Sequence, residues 1–421
     1  MPARDYDVIV AGGGAGGVGA AIGAAKAGAK VALVEKYGFP GGAATNAQVL
    51  AYCGFFHHGG NAATQSVKGV GQDVLDEMQR LGLSCQPYHS PTTGNWIVLL
   101  DPERLKLGLD RLLRAHGVDV MLHARVTGAD RRGAVLNGVT VEGHDDVLHL
   151  SAGAYVDATG DAALALVADQ DCRVGNGEGR INAYTMPLRF GGLSPDLRID
   201  RTRMQAAVEE FNTRSPYPIH RTDGGIYTRV EGTPDFWWLI IDRDMPDLSI
   251  RSFTAAEQSA REMAQVMLET LRDTVEGFGN AWLVQTGPQI GIRETRHPAA
   301  RYEITHADVL SGRQRDDGIA RASWPIELHS EAGKPVYEFI GGRGFYHVPL
   351  DAIRAEGIDN LFYAGRVIGA DARAYGSTRV MGTAFATGEA AGVAAHFAAQ
   401  GQGTVIPAEL QNRLIAQGAF I

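Results

Sequence analysis

The chain has 421 residues, 45% hydrophobic and 21% charged, with 48 acidic against 39 basic side chains and a formal net charge of −9. That is ordinary globular composition, and the acidic balance carries no electrostatic footprint of a nucleic-acid binder. No apolar run approaches the roughly 20 residues that cross a bilayer, so no membrane role is expected. Cys53, Cys85 and Cys172 are isolated and form no CxxC. This excludes a disulfide framework, a dithiol redox pair and a cysteine zinc site, and no metal is expected. A first strand near residue 6 leaves no room for a signal peptide, so the expected setting is soluble, reducing and cytoplasmic.

Residues 5–36 read as strand, glycine turn, helix, strand and acid. Asp5-Tyr6-Asp7-Val8-Ile9-Val10-Ala11 is followed by Gly12-Gly13-Gly14-Ala15-Gly16-Gly17, an Ala/Gly-rich helix, and Val31-Ala32-Leu33-Val34-Glu35. That order suits a dinucleotide. Gly12 permits a tight turn, Gly14 lets backbone approach a pyrophosphate, and Gly17 lets the helix pack close to the sheet. The helix N-terminus offers unpaired N–H groups and a partial positive charge. The Glu35 carboxylate can accept from ribose hydroxyls.

Residues 37–66 are Gly/Ala/Asn/His-rich and predict a loop wrapped around the ligand. Residues 67–82 predict a helix with Val70, Val74, Leu75, Met78 and Leu81 inward. Asp101-Pro102 opens the next helix with an N-cap and a proline at its first position, and Gly117 stops it. A strand follows at 118–122, another segment at 124–128, and hairpin strands at 134–150. Ala154 to Asp161 is a strand running into a turn. The stretch from about 170 to 345 changes character. It holds Trp237, Trp238, Trp282 and Trp324, and it predicts an antiparallel sheet with one strong helix starting at a capping box, Thr254-Ala255-Ala256-Glu257. From about 346 the pattern is α/β again, with Asn360 to Gly365 as strand and turn and Gly382 to Ala399 as a small-residue helix. The last twenty residues have no readable pattern.

The opening, the Ala158-Thr159-Gly160-Asp161 turn and the Tyr363-Ala364-Gly365-Arg366 turn resemble the FAD-binding domain of glutathione-reductase-type flavoproteins. Asp101 to Lys106, Ile290 to Arg296, Asp317 to Arg321, Trp324 to His329 and Gly376 to Gly382 resemble the FAD-dependent oxidoreductase family, a relative of the fumarate reductase and succinate dehydrogenase flavoproteins. The resemblance spans roughly residues 6–398. It implies an α/β fold: a Rossmann-like FAD-binding domain made of N- and C-terminal segments, with an inserted α+β substrate domain. The expected boundaries are 1–168, 169–345 for the insert, 346–400, and a tail at 401–421. FAD is the implied cofactor.

Carried over position by position, the resemblance puts Gly12, Gly14 and Gly17, with Gly13, Ala15 and Gly16 between them, at the pyrophosphate. Glu35, followed by Lys36, would hold the adenosine ribose, and Val126 would meet adenine through its backbone. Gly41 and Gly42-Ala43-Ala44-Thr45 would line the pyrophosphate and flavin. Ala158, Thr159, Gly160 and Asp161 would close the ADP side, and Gly365 and Arg366 the ribityl side. The helix starting around Met381, Gly382 and Thr383 would aim its N-terminus at the flavin pyrimidine edge, where a helix dipole stabilises a reduced flavin's negative charge. Two positions depart from the family. No histidine stands in Ala370-Asp371-Ala372-Arg373-Ala374, which puts a family-wide base there in doubt. Gly382 replaces a frequent proline and leaves that turn more permissive.

No second dinucleotide fingerprint exists, which removes a stably bound nicotinamide, and Arg366 stands where aromatic hydroxylases usually place an acid. The expected reaction is hydride transfer between a small organic molecule and flavin N5, with the electron partner left open. The candidates for moving the proton are His329, His57 and His58, with His347 and Tyr375 behind them. His57, His58 and Cys53 are also candidates for covalent flavin attachment, against solvated or packing roles. Arg379 could hold flavin O2 or clamp a substrate carboxylate. Arg293, three residues from Arg296, is a site candidate or one half of a buried ion pair with Glu294 or Glu303. The alternatives to a dehydrogenase or oxidase are a flavin monooxygenase and a non-catalytic flavin-binding module. The oligomeric state is unreadable, with a homodimer as the default expectation.

Overall fold

The structure is a computed structural model and describes residues 4–58, 62–91, 93–401 and 405–421. Its centre is a five-stranded sheet in the order Leu361–Tyr363, Ala152–Asp157, Tyr6–Ala11, Val31–Val34, Asp119–Met121. Every pairing in it is parallel. Parallel strands are covered on both faces and therefore read as continuous apolar runs. Val8, Ile9, Val10 and Val31-Ala32-Leu33-Val34 are all buried. The edge strand comes from residue 361 onward, so the two ends of the chain build one sheet.

The helices Ala15–Ala27 and Met381–Gln400 lie against each other over this sheet. Their shared poverty in large side chains has a steric cause. A Cβ on Gly388 would sit 2.1 Å from the Gly16 carbonyl oxygen, and one on Gly392 would sit 1.9 Å from that of Ala20. The backbones touch, and any larger residue would push them apart.

A second core gathers residues between Ile181 and Ile290. Its antiparallel sheet runs Ile226–Arg229, Phe236–Arg243, Tyr184–Gly191, Trp282–Thr286. The helices Arg201–Arg214 and Ile250–Thr274 supply the other half of that core, with Met204, Phe211, Met263 and Met267. Strand alternation sends neighbouring tryptophans to opposite faces. Trp238 enters this core, while Trp237 packs with the main one.

Several expectations change. The strong helix starts at Ile250, a turn before Thr254, because Ser249 caps it by accepting from the Ser252 N–H at 3.2 Å. Thr254 is already inside and donates to the Ile250 carbonyl, and Glu257 accepts from the Ile290 N–H. Residues 37–66 are not all loop: Ala43–Asn46 is a helical turn and Ala51–Tyr52 pairs with Trp96–Leu99. Pro407–Ala416 is a helix, anchored by Leu410 and Leu414. The Asp101 cap is as expected, accepting from the Arg104 N–H at 2.9 Å. Among the described residues no helix is long and apolar enough to cross a membrane, and no cluster of ligands suits a metal.

Candidate active site

The first strand ends at Ala11, and Gly12 turns with φ +95°. A side chain there is excluded twice over, because a Cβ would also lie 2.6 Å from the Ala158 carbonyl oxygen. Gly17 is the packing glycine: its Cβ would fall 1.7 Å from the Gly12 carbonyl oxygen. Gly14 differs. Only the Gly42 Cα, at 3.6 Å, would meet its Cβ, so its open side faces the cavity. No side chain caps the helix that begins at Ala15, which leaves its first N–H groups available to an anion.

These elements border a cavity of about 390 Å³. Gly12, Gly14, Ala15 and Gly16 line it, with Gly42 and Ala43 beside them. Glu35, Lys36 and Val126 line it, as do Ala158, Thr159, Gly160 and Asp161. Gly365, Arg366, Arg379 and Met381 border it too. Glu35 accepts from the Gly13 N–H at 2.6 Å and from the Tyr37 N–H at 3.0 Å. Burial pushes its carboxyl above the usual range, and the two N–H groups oppose that shift. Asp161 holds Arg366 at 3.2 Å and Lys36 at 3.6 Å.

Not every expected contact lines the cavity. Gly13 acts through Glu35, and Gly17 packs. Ala44 is buried away from the lining, and Thr45 donates to the Pro40 carbonyl, bracing the Gly41-Gly42 turn. Gly382 donates to the Cys53 carbonyl at 2.8 Å, and a Cβ there would strike that oxygen. Thr383 is buried with its hydroxyl unpartnered. Asp157 escaped the sequence reading. Its fully buried carboxylate accepts from the Thr159 N–H and hydroxyl and from the Ala165 N–H, which shapes the Thr159-Gly160-Asp161 turn. A threonine two residues after a strand-ending Asp was its only signal. Phe253 and Gln289, from the second core's side of the molecule, also line the cavity, and no local motif announces them.

A second cavity of about 170 Å³ shares Ala43, Ile292, Arg366, Arg379 and Met381 with the first. His329, Glu327, Arg293 and Arg379 all line it. His329 is 3% exposed. Its Nε2 is 3.1 Å from Glu327 Oε1, while Nδ1 is 3.6 Å from Asp242 Oδ2, beyond hydrogen-bond reach. Glu327 also accepts from Trp324 Nε1 at 2.9 Å and the Tyr337 hydroxyl at 3.0 Å, and Arg379 donates to its backbone carbonyl at 3.0 Å. Burial alone would raise the Glu327 carboxyl, but the His329 hydrogen bond, Arg379 and Trp324 hold it far below the carboxylate range. Asp242 behaves likewise: burial works upward, and Arg293 and then His329 pull it well down.

Arg293 pairs with Asp242 at 2.9 Å, not with Glu294 or Glu303. Glu294 is taken by His297 and Asn182. Arg296 lies on the Arg296–Pro298 strand, paired with Cys172–Val174. His57 and His58 line neither cavity. His57 packs on Phe345, and His58 stacks on Phe339 at 4.3 Å with Nδ1 against Asn95, so a pocket role for them is set aside. His347 accepts from the Arg315 N–H, and Tyr375 donates to the Arg293 carbonyl; both lie outside the linings. Cys53 does line the second cavity, but burial pushes its thiol up, which withholds the thiolate that attachment chemistry needs.

A model of the FAD dependent oxidoreductase family matches residues 7–414. The chain belongs to that family. FAD is accordingly its cofactor, and it is an enzyme. Among solved structures, AlpK is 14% identical over 99% of this chain and 69% of its own, with a TM-score of 0.48. A geranylgeranyl bacteriochlorophyll reductase-like protein from Thermoplasma acidophilum is 13% identical over 99% and 84%, with a TM-score of 0.46. OxyS anhydrotetracycline hydroxylase from Streptomyces rimosus is 11% identical over 98% of this chain and 65% of its own, with a TM-score of 0.48. Curated proteins gave no match.

The first cavity suits the cofactor. The open side of Gly14, the uncapped helix and the close approach of Gly42 leave room for a pyrophosphate among backbone N–H groups. Asn46 also borders this cavity, and its buried Oδ1 has no partner.

Proposed function

We propose that this FAD-dependent oxidoreductase works as a dehydrogenase or oxidase, taking hydride from a small organic substrate held in the second cavity. The observation that carries this reading is one shared wall. Ala43, Ile292, Arg379 and Met381 border both cavities, and His329 lines the second. Bound FAD supplies a two-electron acceptor at N5.

The chain's own groups do the rest. Glu327 holds the His329 ring through Nε2, Nδ1 lies buried 3.6 Å from Asp242 without a hydrogen-bond partner, and the ring lines the cavity as its base. As a substrate C–H bond breaks and its electron pair leaves as hydride, the proton of the adjoining O–H or N–H passes to that ring. Asp242 and Glu327, on either side, compensate the positive charge the ring then carries. Trp324 and Tyr337 hold Glu327 in place by two further hydrogen bonds.

The test is anaerobic titration of the FAD-loaded protein with small organic alcohols and amines, and separately with NADH and NADPH, following the flavin's visible absorbance. Bleaching by an organic donor is expected. His329→Gln should keep its FAD and slow bleaching by roughly 10²–10⁴-fold. Bleaching only by a nicotinamide would move the protein to the monooxygenase reading, and an unchanged rate in the variant would return His329 to packing.

A further inference from the structure

The walls of the second cavity cancel their own charge. Arg293 is paired with Asp242 at 2.9 Å, Arg366 with Asp161 at 3.2 Å, and Arg379 lies 3.8 Å from the Glu327 carboxylate while donating to the Glu327 carbonyl. His329 faces Glu327. Each guanidinium bordering the cavity therefore has a carboxylate within 4 Å, Asp161 being shared with Lys36 and Glu327 with His329. A substrate carboxylate entering here would find no unmatched positive charge, and an unpaired charge in a dry pocket is heavily penalised.

The remaining lining is mostly apolar, with Val49, Ile97, Leu99, Leu239 and Val380 among it. Two tryptophans also border it, and their indole N–H groups are already used: Trp237 donates to the Gln48 carbonyl at 2.8 Å and Trp324 to Glu327. They offer the cavity hydrocarbon. Thr185 and Thr228 spend their hydroxyls on the carbonyls of Ile241 and Arg229. Tyr88 and Thr93 bring further hydroxyls to the lining, whereas the Nε of Arg379, buried without a partner among the described residues, is closed off from the cavity space. The volume, about 170 Å³, is close to that of an apolar cavity of about 150 Å³ that accepts benzene.

We infer that the second cavity takes an uncharged, largely apolar molecule of about one ring and that it rejects carboxylates. This rests on the second cavity being the substrate site of the oxidoreductase. It replaces the expectation that Arg379 clamps a substrate carboxylate, because that guanidinium is already matched by Glu327.

The experiment uses the FAD-loaded full chain and three probes of one shape, benzamide, benzoate and toluene. Calorimetric titration at pH 8, where benzoate is ionised, gives the affinities without turnover. Benzamide and toluene are each expected to bind at least about tenfold more tightly than benzoate. Leu239→Trp, with Ile97→Phe as a second cavity-filling variant, should abolish benzamide binding while the flavin content stays whole. Benzoate binding as tightly as benzamide, no probe binding at all, or benzamide binding unaffected by both fillings would overturn the inference. Selective benzamide binding in a protein whose flavin no organic donor bleaches would uphold this inference and sink the hydride-transfer reading.

Discussion

The two adjoining cavities are built from different material. The larger has a backbone cradle, in which glycine and alanine bring N–H groups and carbonyls to the surface, with side chains such as Glu35, Lys36, Phe253, Gln289 and Arg366 along the rest of its lining. The smaller is a side-chain pocket, in which charge pairs are closed by residues far apart in the chain. Arg293 meets Asp242 across 51 positions, and Arg379 meets the Glu327 carbonyl across 52. A backbone cradle is fixed by steric rules over a few residues and tolerates almost no substitution. A side-chain pocket depends on electrostatic balance and can be retuned one residue at a time.

The largest expected effect lies in the cradle. The Cβ of Gly14→Val meets only the Gly42 Cα in the folded protein, and its branched side chain fills the space a pyrophosphate needs. The variant should fold and lose FAD, as read by the visible spectrum of a protein with unchanged circular dichroism. Stoichiometric FAD in that variant would remove Gly14 from the cofactor wall.

The same contrast explains what could be read in advance. Gly12, Gly14, Glu35 and Thr159-Gly160-Asp161 were legible because the cradle's demands are local: a turn with positive φ, a close approach, an acid at a strand end. The parallel sheet was legible from its apolar runs. The pocket was only half legible. His329 and Arg379 stood out by residue type, but nothing in the chain marks Asp242 as the partner of Arg293, or Glu327 as the acceptor from Trp324, Tyr337 and His329. His57 and His58 misled because they follow the cofactor loop in sequence while the chain carries them to Phe345 and Phe339. Gly382 and Thr383 misled in a milder way, since helix geometry turns both toward packing rather than toward the cavity.

Two buried acids sharpen the comparison through pH. Glu327→Gln removes the shared acceptor of the pocket and leaves Arg379 poorly matched, so it should cost about 3 kcal/mol in denaturant unfolding. The wild-type carboxyl is depressed in the folded state, so its stabilisation is present above the ordinary value of about 4.3 and is lost as pH falls below it. The variant should lose that acid-side slope; an unchanged slope would deny Glu327 its place at the centre of the pocket.

Glu389, on the Met381–Gln400 helix of the cradle, has the opposite sign. It accepts from the Val70 N–H at 2.8 Å, its other oxygen is buried without a partner, and burial pushes its carboxyl up to about 7. An acid raised on folding is stabilising below its unfolded value, and that contribution is lost as pH rises from about 4.5 through about 7. Glu389→Gln keeps the acceptor for Val70 and should raise the melting temperature at pH 8 by a few degrees, with no gain at pH 4. A gain equal at both values would mean that the effect is packing rather than ionisation.

The most direct measurement is a crystal structure of the FAD-loaded protein with benzamide. The account predicts the pyrophosphate over Gly14 and the uncapped helix, the isoalloxazine at the wall shared by Ala43, Arg379 and Met381, and the benzamide ring among Ile97, Leu99 and Leu239 beside His329. An isoalloxazine that leaves the second cavity cut off from N5, or a benzamide bound elsewhere, would contradict it.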